Sequence, residues 1–181
     1  MMHIRFAAPG DAEALAAIYA PIVRDTIISF EEDPPDAGEM RARIAALEGR
    51  WPWLVAEDDD GVIGYAYASE HRVRRGYRWS VDVSAYVAER ARGTGVGKAL
   101  YTDLLRILER QGFYTAFAGI TLPNDASVAL HKAVGFTLLT IYPAVGFKHG
   151  RWHDVSWWRR PLRTPAGEPA DPLPLDGTSP V

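Results

Sequence analysis

Residues 79–108 constrain the fold more than any other stretch. "WSVDVSAYV" alternates strictly, with Trp79, Val81, Val83, Ala85 and Val87 on one face and Ser80, Asp82, Ser84 and Tyr86 on the other, the period of a strand. "ARGTGVGKAL" then puts glycines at 93, 95 and 97, and Val96, Leu100, Leu104 and Leu108 repeat at helical spacing. A strand that passes through a glycine turn into a helix brings unpaired N–H groups to one point, where an anion can bind. Such a unit needs a sheet with helices packed on it, which places the chain in the α/β class.

The flanking sequence fills out that class. "HIRFA" reads as a first strand, and Asp11 is the expected N-cap of a helix carrying Leu15, Ile18, Tyr19, Ile22 and Val23. Pro21 is expected to kink or end that helix. Asp36 and Glu39 have capping-box spacing for a second helix with Met40, Ile44 and Leu47 on its buried stripe. "WPWLVAE" and "VIGYAYA" form a hairpin across "DDDG". "YTAFAGITL" is a further strand, "NDASVALHKAVGF" a short helix ended by Gly135, and "TLLTIYPAVGFKHGRWHDVSWWRRPL" a final strand pair. The order β-α-α-β-β-β-α-β-α-β-β has too many strands for a doubly wound parallel sheet. A single domain is expected over residues 1–162. Residues 163–181, with five prolines and few core-forming side chains, are expected to be a flexible tail.

Composition narrows the function. At 181 residues with 48% apolar and 24% charged residues, the chain has the balance of one soluble globular domain. A net charge of −3 gives no general attraction to nucleic acid or anionic membrane. There is no cysteine, which excludes disulfides, thiolate catalysis and cysteine-bound metal. "MMHIRFAAPGDAEAL" lacks the basic-then-apolar layout of a secretory signal, and a cytoplasmic protein is expected.

Two phosphate motifs can be tested on the glycine turn. A Walker A loop needs glycine at the position of Arg92 and a serine or threonine at Ala99; a dinucleotide fingerprint needs glycine at Lys98. Both fail. Arg92-Gly93-Thr94-Gly95-Val96-Gly97 has instead the form R/Q-x-x-G-x-G/A, which resembles the acyl-CoA motif of the GNAT N-acetyltransferase superfamily. Downstream, "NDASVALHKAVGF" resembles the second signature of that family. "YRWSVDVSAYV", "LPNDASV" and "GFKHGRWHDV" resemble its phosphinothricin and methionine sulfoximine N-acetyltransferases, with a likeness spanning residues 3–160.

That resemblance implies a single-domain GNAT fold, a mixed, mostly antiparallel sheet flanked by helices with one strand splayed at the acetyl-CoA site. It implies that the amides of Arg92, Gly93, Thr94, Gly95, Val96, Gly97 and Lys98 cradle the CoA pyrophosphate, that Ala85, Tyr86 and Val87 pair with the pantetheine arm, and that Asn124 and Ser127 face the cofactor. It also implies a homodimer, to which "GRWHDVSWW" would contribute.

Attack on a thioester requires a neutral amine, so a nearby group must take a proton from the substrate ammonium. Asp82, mid-strand on the polar face, is the expected base; the resemblance implies glutamate there, and the shorter aspartate favours a bridging water. His131, seven residues after Asn124, is the second catalytic candidate, as proton donor to the leaving thiolate or as a substrate ligand. Arg72, Arg74, Arg75 and Tyr77 form a basic loop suited to an oxyanion. Phe30 and Val155 match positions that line the amino-acid pocket. His149 and His153 stand four apart, but in a hairpin, and no metal is expected.

The resulting expectation is an enzyme that acetylates the amino group of a small amino acid or analogue. Protein N-terminal or lysine acetylation, and a non-catalytic acyl-CoA-binding module, are the alternatives.

Overall fold

The structure, a computed structural model, describes residues 1–175. Within them the chain runs β1 (His3–Phe6), α1 (Ala12–Asp25), α2 (Ala37–Leu47), β2 (Trp53–Asp58), β3 (Gly61–Glu70), β4 (Ser80–Val87), α3 (Val96–Gln111), β5 (Thr115–Thr121), α4 (Asp125–Ala133), β6 (Thr137–Lys148) and β7 (Arg151–Pro161). The strands form one sheet in the order β1-β2-β3-β4-β5-β7-β6. Its strand pairs are antiparallel except β4–β5, which is parallel.

Alternation along the strands builds a core on each face. Leu54 and Ala56 of β2, Val81 and Val83 of β4 and the α3 stripe Val96, Leu100, Leu104 and Leu108 share one cluster. Trp53 and Val55 join Tyr65 and the stripes of α1 and α2 in the other. Each face buries apolar area that neither the sheet nor a helix could bury alone. Because Val81 and Val83 are claimed by the α3 face, Asp82, Ser84 and Tyr86 are turned to the α1–α2 face.

Two local expectations need correction. Pro21 does not end α1, which continues to Asp25; the exposed proline forfeits one helical bond without a break. Asp11 makes no side-chain cap to α1. Its carboxylate accepts from the Ala8 N–H at 2.7 Å and pairs with both Nη atoms of Arg5 at 2.8 Å, which holds its pKa below the usual range. Asp36, by contrast, caps α2 as expected, accepting from the Glu39 N–H.

The largest correction is the tail. Residues 163–175 lie along the domain instead of leaving it. Leu173 N–H donates to Gln111 O, Leu175 N–H to Gly49 O, and Gln111 Nε2 to Leu173 O. Trp79 Nε1 donates to Ala170 O, and Asp171 accepts from Arg78 and Arg75. Only Leu175 packs on the core, so composition gave little sign of docking that is made mainly through backbone groups. Residues 176–181 of the expected tail lie outside the described residues.

Candidate active site

β4 and β5 pair at three rungs only, Ser80–Thr115, Val81–Ala116 and Asp82–Phe117. Beyond them β5 continues against β7 and β4 against β3, so the two strands part. Ala88 N–H donates to Ile63 O on the β3 side. By strand alternation the backbone groups of Val83, Ala85 and Val87 therefore face the opposite way, into the gap. A strand edge of this kind can pair with an extended ligand.

The gap leads to the glycine turn. α3 begins after Gly95, whose φ of 93° lies in the left-handed region that glycine adopts without steric penalty. No side chain caps this N-terminus, so its first-turn amides are left for an anion. Gly97 is needed for proximity: a Cβ there would stand 3.1 Å from Leu130 Cδ2 and 3.7 Å from Val87 Cγ2. α4 reaches the same place, its N-cap Asn124 accepting from the Ser127 N–H.

Together these segments enclose a cleft of about 360 Å³. Ala85, Tyr86 and Val87 line it, as do Arg92, Gly93, Gly95, Val96, Gly97, Lys98, Asn124, Ser127 and His131. Thr94 does not; its hydroxyl donates to Ala91 O and closes the turn from behind. The free edge of β4, uncapped amides and two nearby cations suit a long ligand with an anionic end, as acetyl-CoA is.

His131 is buried beside this cleft. Its Nδ1 lies 2.7 Å from Ser127 O, so that nitrogen donates, and Nε2 lies 3.1 Å from the hydroxyl of fully buried Tyr101. Burial lowers its pKa, which favours the neutral ring. Both nitrogens are then engaged, and the proton expected for a leaving thiolate is committed to a carbonyl.

Asp82 stands at the last paired rung, where the gap closes. Burial raises its pKa, and a hydrogen bond with His71 works against that rise. His71 Nδ1 is 2.6 Å from Asp82 Oδ1, and its ring stacks on Phe117 with centroids 4.3 Å apart. Sequence reasoning missed His71. The usable signal was the hairpin register, Ser69 opposite Asp82, which places residue 71 close to the carboxylate. On the same face, a cavity of about 330 Å³ is lined by Tyr19, Arg43, Trp53, Tyr67 and Ser69 among others.

The remaining substrate candidates divide. Tyr77 meets the His71 ring edge-on at 6.3 Å, and Arg72 donates to His71 O, so these two flank the fork. Arg74 is exposed, and Arg75 is turned to Asp171. Phe30 packs on the β6–β7 hairpin, and Val155 belongs to its strand β7. Phe30 fills the space over Gly146, where a Cβ would collide with its ring, and Val155 pairs with Thr121 and Tyr142. Lys148 of that hairpin donates to Val23 O, Ser29 O and Glu31 O, anchoring the segment that carries Phe30. His149 occupies the hairpin turn, while buried His153 bonds Lys148 O through Nε2. Among the described residues no group of three or more metal-ligating side chains converges.

A sheet opened at one parallel pair, with a glycine turn at the mouth of the opening, is the architecture of an acyl-CoA-dependent acetyltransferase. The sequence matches the acetyltransferase (GNAT) domain over residues 4–157, and the chain belongs to that family. It is 40% identical to phosphinothricin N-acetyltransferase of Streptomyces viridochromogenes over 91% of this chain and 90% of that protein. It is 35% identical to the L-methionine sulfoximine/L-methionine sulfone acetyltransferase of Salmonella typhimurium, over 89% and 95% of the two chains. The crystal structure of a phosphinothricin acetyltransferase from Sinorhizobium meliloti in complex with acetyl-CoA superposes with a TM-score of 0.90 at 38% identity, covering 99% of this chain and 98% of that one.

Proposed function

We propose that this chain transfers the acetyl group of acetyl-CoA to the amino group of a small amino acid or analogue of the phosphinothricin or methionine sulfoximine type. The observation that carries this reading is the opening between β4 and β5, which runs from the uncapped end of α3 to the half-buried carboxylate of Asp82. The turn amides, with Arg92 and Lys98, would hold the anionic end. The free edge of Val83–Val87 would hold the extended arm, leaving the thioester near Asp82. An amine entering from the α1–α2 face would meet that carboxylate, with Arg72 and Tyr77 beside it to receive the substrate's own anion. The 330 Å³ cavity supports a free amino acid over a protein chain as acceptor.

We assign His131 to holding the Asn124–Ser127 turn against Tyr101, because its donor is already used. The test of the function is release of CoA thiol across a panel of amino acids, analogues and peptides. Turnover confined to free amino acids supports it. Release only with peptides would favour protein acetylation, and binding without release a sensor.

Two finer features belong to the proposal. One is a homodimer: along the unpartnered edge strand β6 and its turn to β7, Leu139, Ile141, Tyr142, Val145, Phe147 and Trp152 are each at least 44% exposed. A row of apolar groups on a free sheet edge is a surface that soluble proteins usually cover. A monomer by light scattering at micromolar concentration would contradict it. The other is a cytoplasmic site of action, which cell fractionation would test.

A further inference from the structure

The end of β3 turns a histidine over the rung at which β4 and β5 part. Asp82 has Ser69 as its neighbour on β3 and Phe117 on β5. His71 lies over this rung, its plane 16° from that of Phe117 and its side chain only 13% exposed. A carboxylate can only accept, so the proton in the 2.6 Å contact belongs to His71 Nδ1. In the neutral ring the lone pair is therefore on Nε2. That nitrogen has no hydrogen-bond partner among the described residues, yet it is not sealed in. The buried side-chain polar atoms without a partner among those residues are Trp53 Nε1 and Gln111 Oε1. The result is an imidazole over the rung where the strands part, with its tautomer set by a carboxylate and its free nitrogen not sealed from solvent.

We propose that His71 is the catalytic base of this chain, Nε2 taking the proton of the substrate ammonium while Asp82 acts through the ring as its positioning partner. This role rests on the acetyl-transfer reading given above. An aspartate is one methylene shorter than the glutamate implied by the family resemblance, and here its carboxylate is already engaged by His71. The arrangement follows the logic of a histidine base oriented by an acid in hydrolytic triads, with the amine supplying the nucleophile. Burial disfavours the charged form of Asp82, and a proton arriving on Nε2 makes the ring a cation beside it. Arg72, adjacent in the chain, and Tyr77, edge-on to the ring, are polar side chains beside it.

The transfer balances as follows. The ammonium gives one proton to Nε2, which releases it to solvent. The freed pair on nitrogen forms the bond to the thioester carbonyl carbon, and the carbon–sulfur bond breaks with its pair on sulfur. The second proton lost from nitrogen ends on that sulfur through water. Amide and CoA thiol are formed, with one proton released overall.

Two measurements test the role. Nitrogen-15 NMR of the imidazoles should give the Nδ1–H tautomer for His71, with a downfield proton that disappears in Asp82→Asn; an Nε2–H tautomer would overturn the proposal. In kinetics, His71→Asn keeps a donor for Asp82 but has no counterpart of Nε2. It should lower kcat/KM for the amino acid by about 10²–10⁴-fold, with acetyl-CoA affinity by calorimetry unchanged. His71→Phe preserves the stack on Phe117 and should lose as much, so a fold defect in one variant does not decide the matter. An active wild type with undiminished activity in either folded variant removes His71 alone. A wild type that acetylates no amine removes the function and this role together.

Discussion

The two ends of the cleft are built in opposite ways. The end proposed for the anion is a single run of chain, residues 92–98, joined by the start of α4, and what it offers is backbone amides. The fork end is assembled from three strands. His71, Asp82 and Phe117 come from β3's exit, β4 and β5, and their chemistry belongs to side chains. A backbone site is tuned by removing side chains, which glycine spacing records directly. A side-chain site is tuned by register, which no single segment records. The two ends should therefore fail differently.

Breaking the fork should have the largest effect and should leave the other end intact. Asp82→Asn keeps shape but replaces the carboxylate with an amide whose NH2 can donate to Nδ1, so the His71 tautomer is no longer fixed with Nδ1 protonated. Loss of an aspartate that fixes a catalytic imidazole's tautomer lowers turnover by about 10⁴ in other enzymes. A fall of about 10²–10⁴ in kcat/KM is expected, with acetyl-CoA affinity preserved. If calorimetry showed binding lost along with turnover, the two ends would not be separable.

Gly95→Asp is the converse break. A Cβ at this position meets no atom within 4 Å, so the fold should survive, although φ is unfavourable for a side chain. The added carboxylate would stand where an anion is to bind. Acetyl-CoA affinity should fall by roughly 100-fold, about 2.7 kcal/mol. Unchanged affinity in a folded variant would remove the turn from the site.

How much of each end was legible follows from this contrast. Arg92, Gly95 and Gly97 could be read as an anion-binding turn, because helix N-termini and glycine spacing are local, whereas Asn124 and Ser127 joined them only through the family resemblance. Asp82 was legible as a polar residue on a strand with one buried face. His71 was not, since it stands in a basic loop and acquires meaning only when Ser69 is set opposite Asp82. The partner of Arg75 was hidden for the same reason: Asp171 lies in a segment whose composition resembles a free tail. The hairpins could be read from the sequence, but the order in which the strands join the sheet and the point where β4 leaves β5 could not.

That strap gives a smaller effect, felt closer to the fork than to the turn. A chain ending at Arg163 loses the Ala170 and Asp171 contacts to Trp79, Arg78 and Arg75, and leaves Gln111 Nε2 without Leu173 O. Exposed ion pairs count for little, but the buried amide and the core contact of Leu175 do not. A drop in melting temperature of several degrees is expected, at about 2–4 °C per kcal/mol for this chain length. KM for the amino acid should rise more than that for acetyl-CoA. An unchanged melting curve would mean that the strap is held too weakly to matter.

The smallest effect should come from inside the glycine turn itself. Thr94 belongs to the motif by spacing, yet its hydroxyl points away from the cleft and donates to Ala91 O at 2.7 Å. If the anion end is a backbone site, Thr94→Ala should act on stability and hardly on binding. Loss of one part-buried hydrogen bond is worth about 0.5–1.5 kcal/mol, a few degrees in melting temperature at this size. Thr94→Ser, which keeps the donor and drops only a methyl group, should restore most of it. Acetyl-CoA affinity should stay near wild type in both variants, because the amides of the α3 N-terminus are untouched. A large loss of affinity in Thr94→Ala that serine repairs would mean that the hydroxyl leaves Ala91 to reach the ligand. The anion end would then depend on side chains as the fork does, and the contrast between the two would narrow.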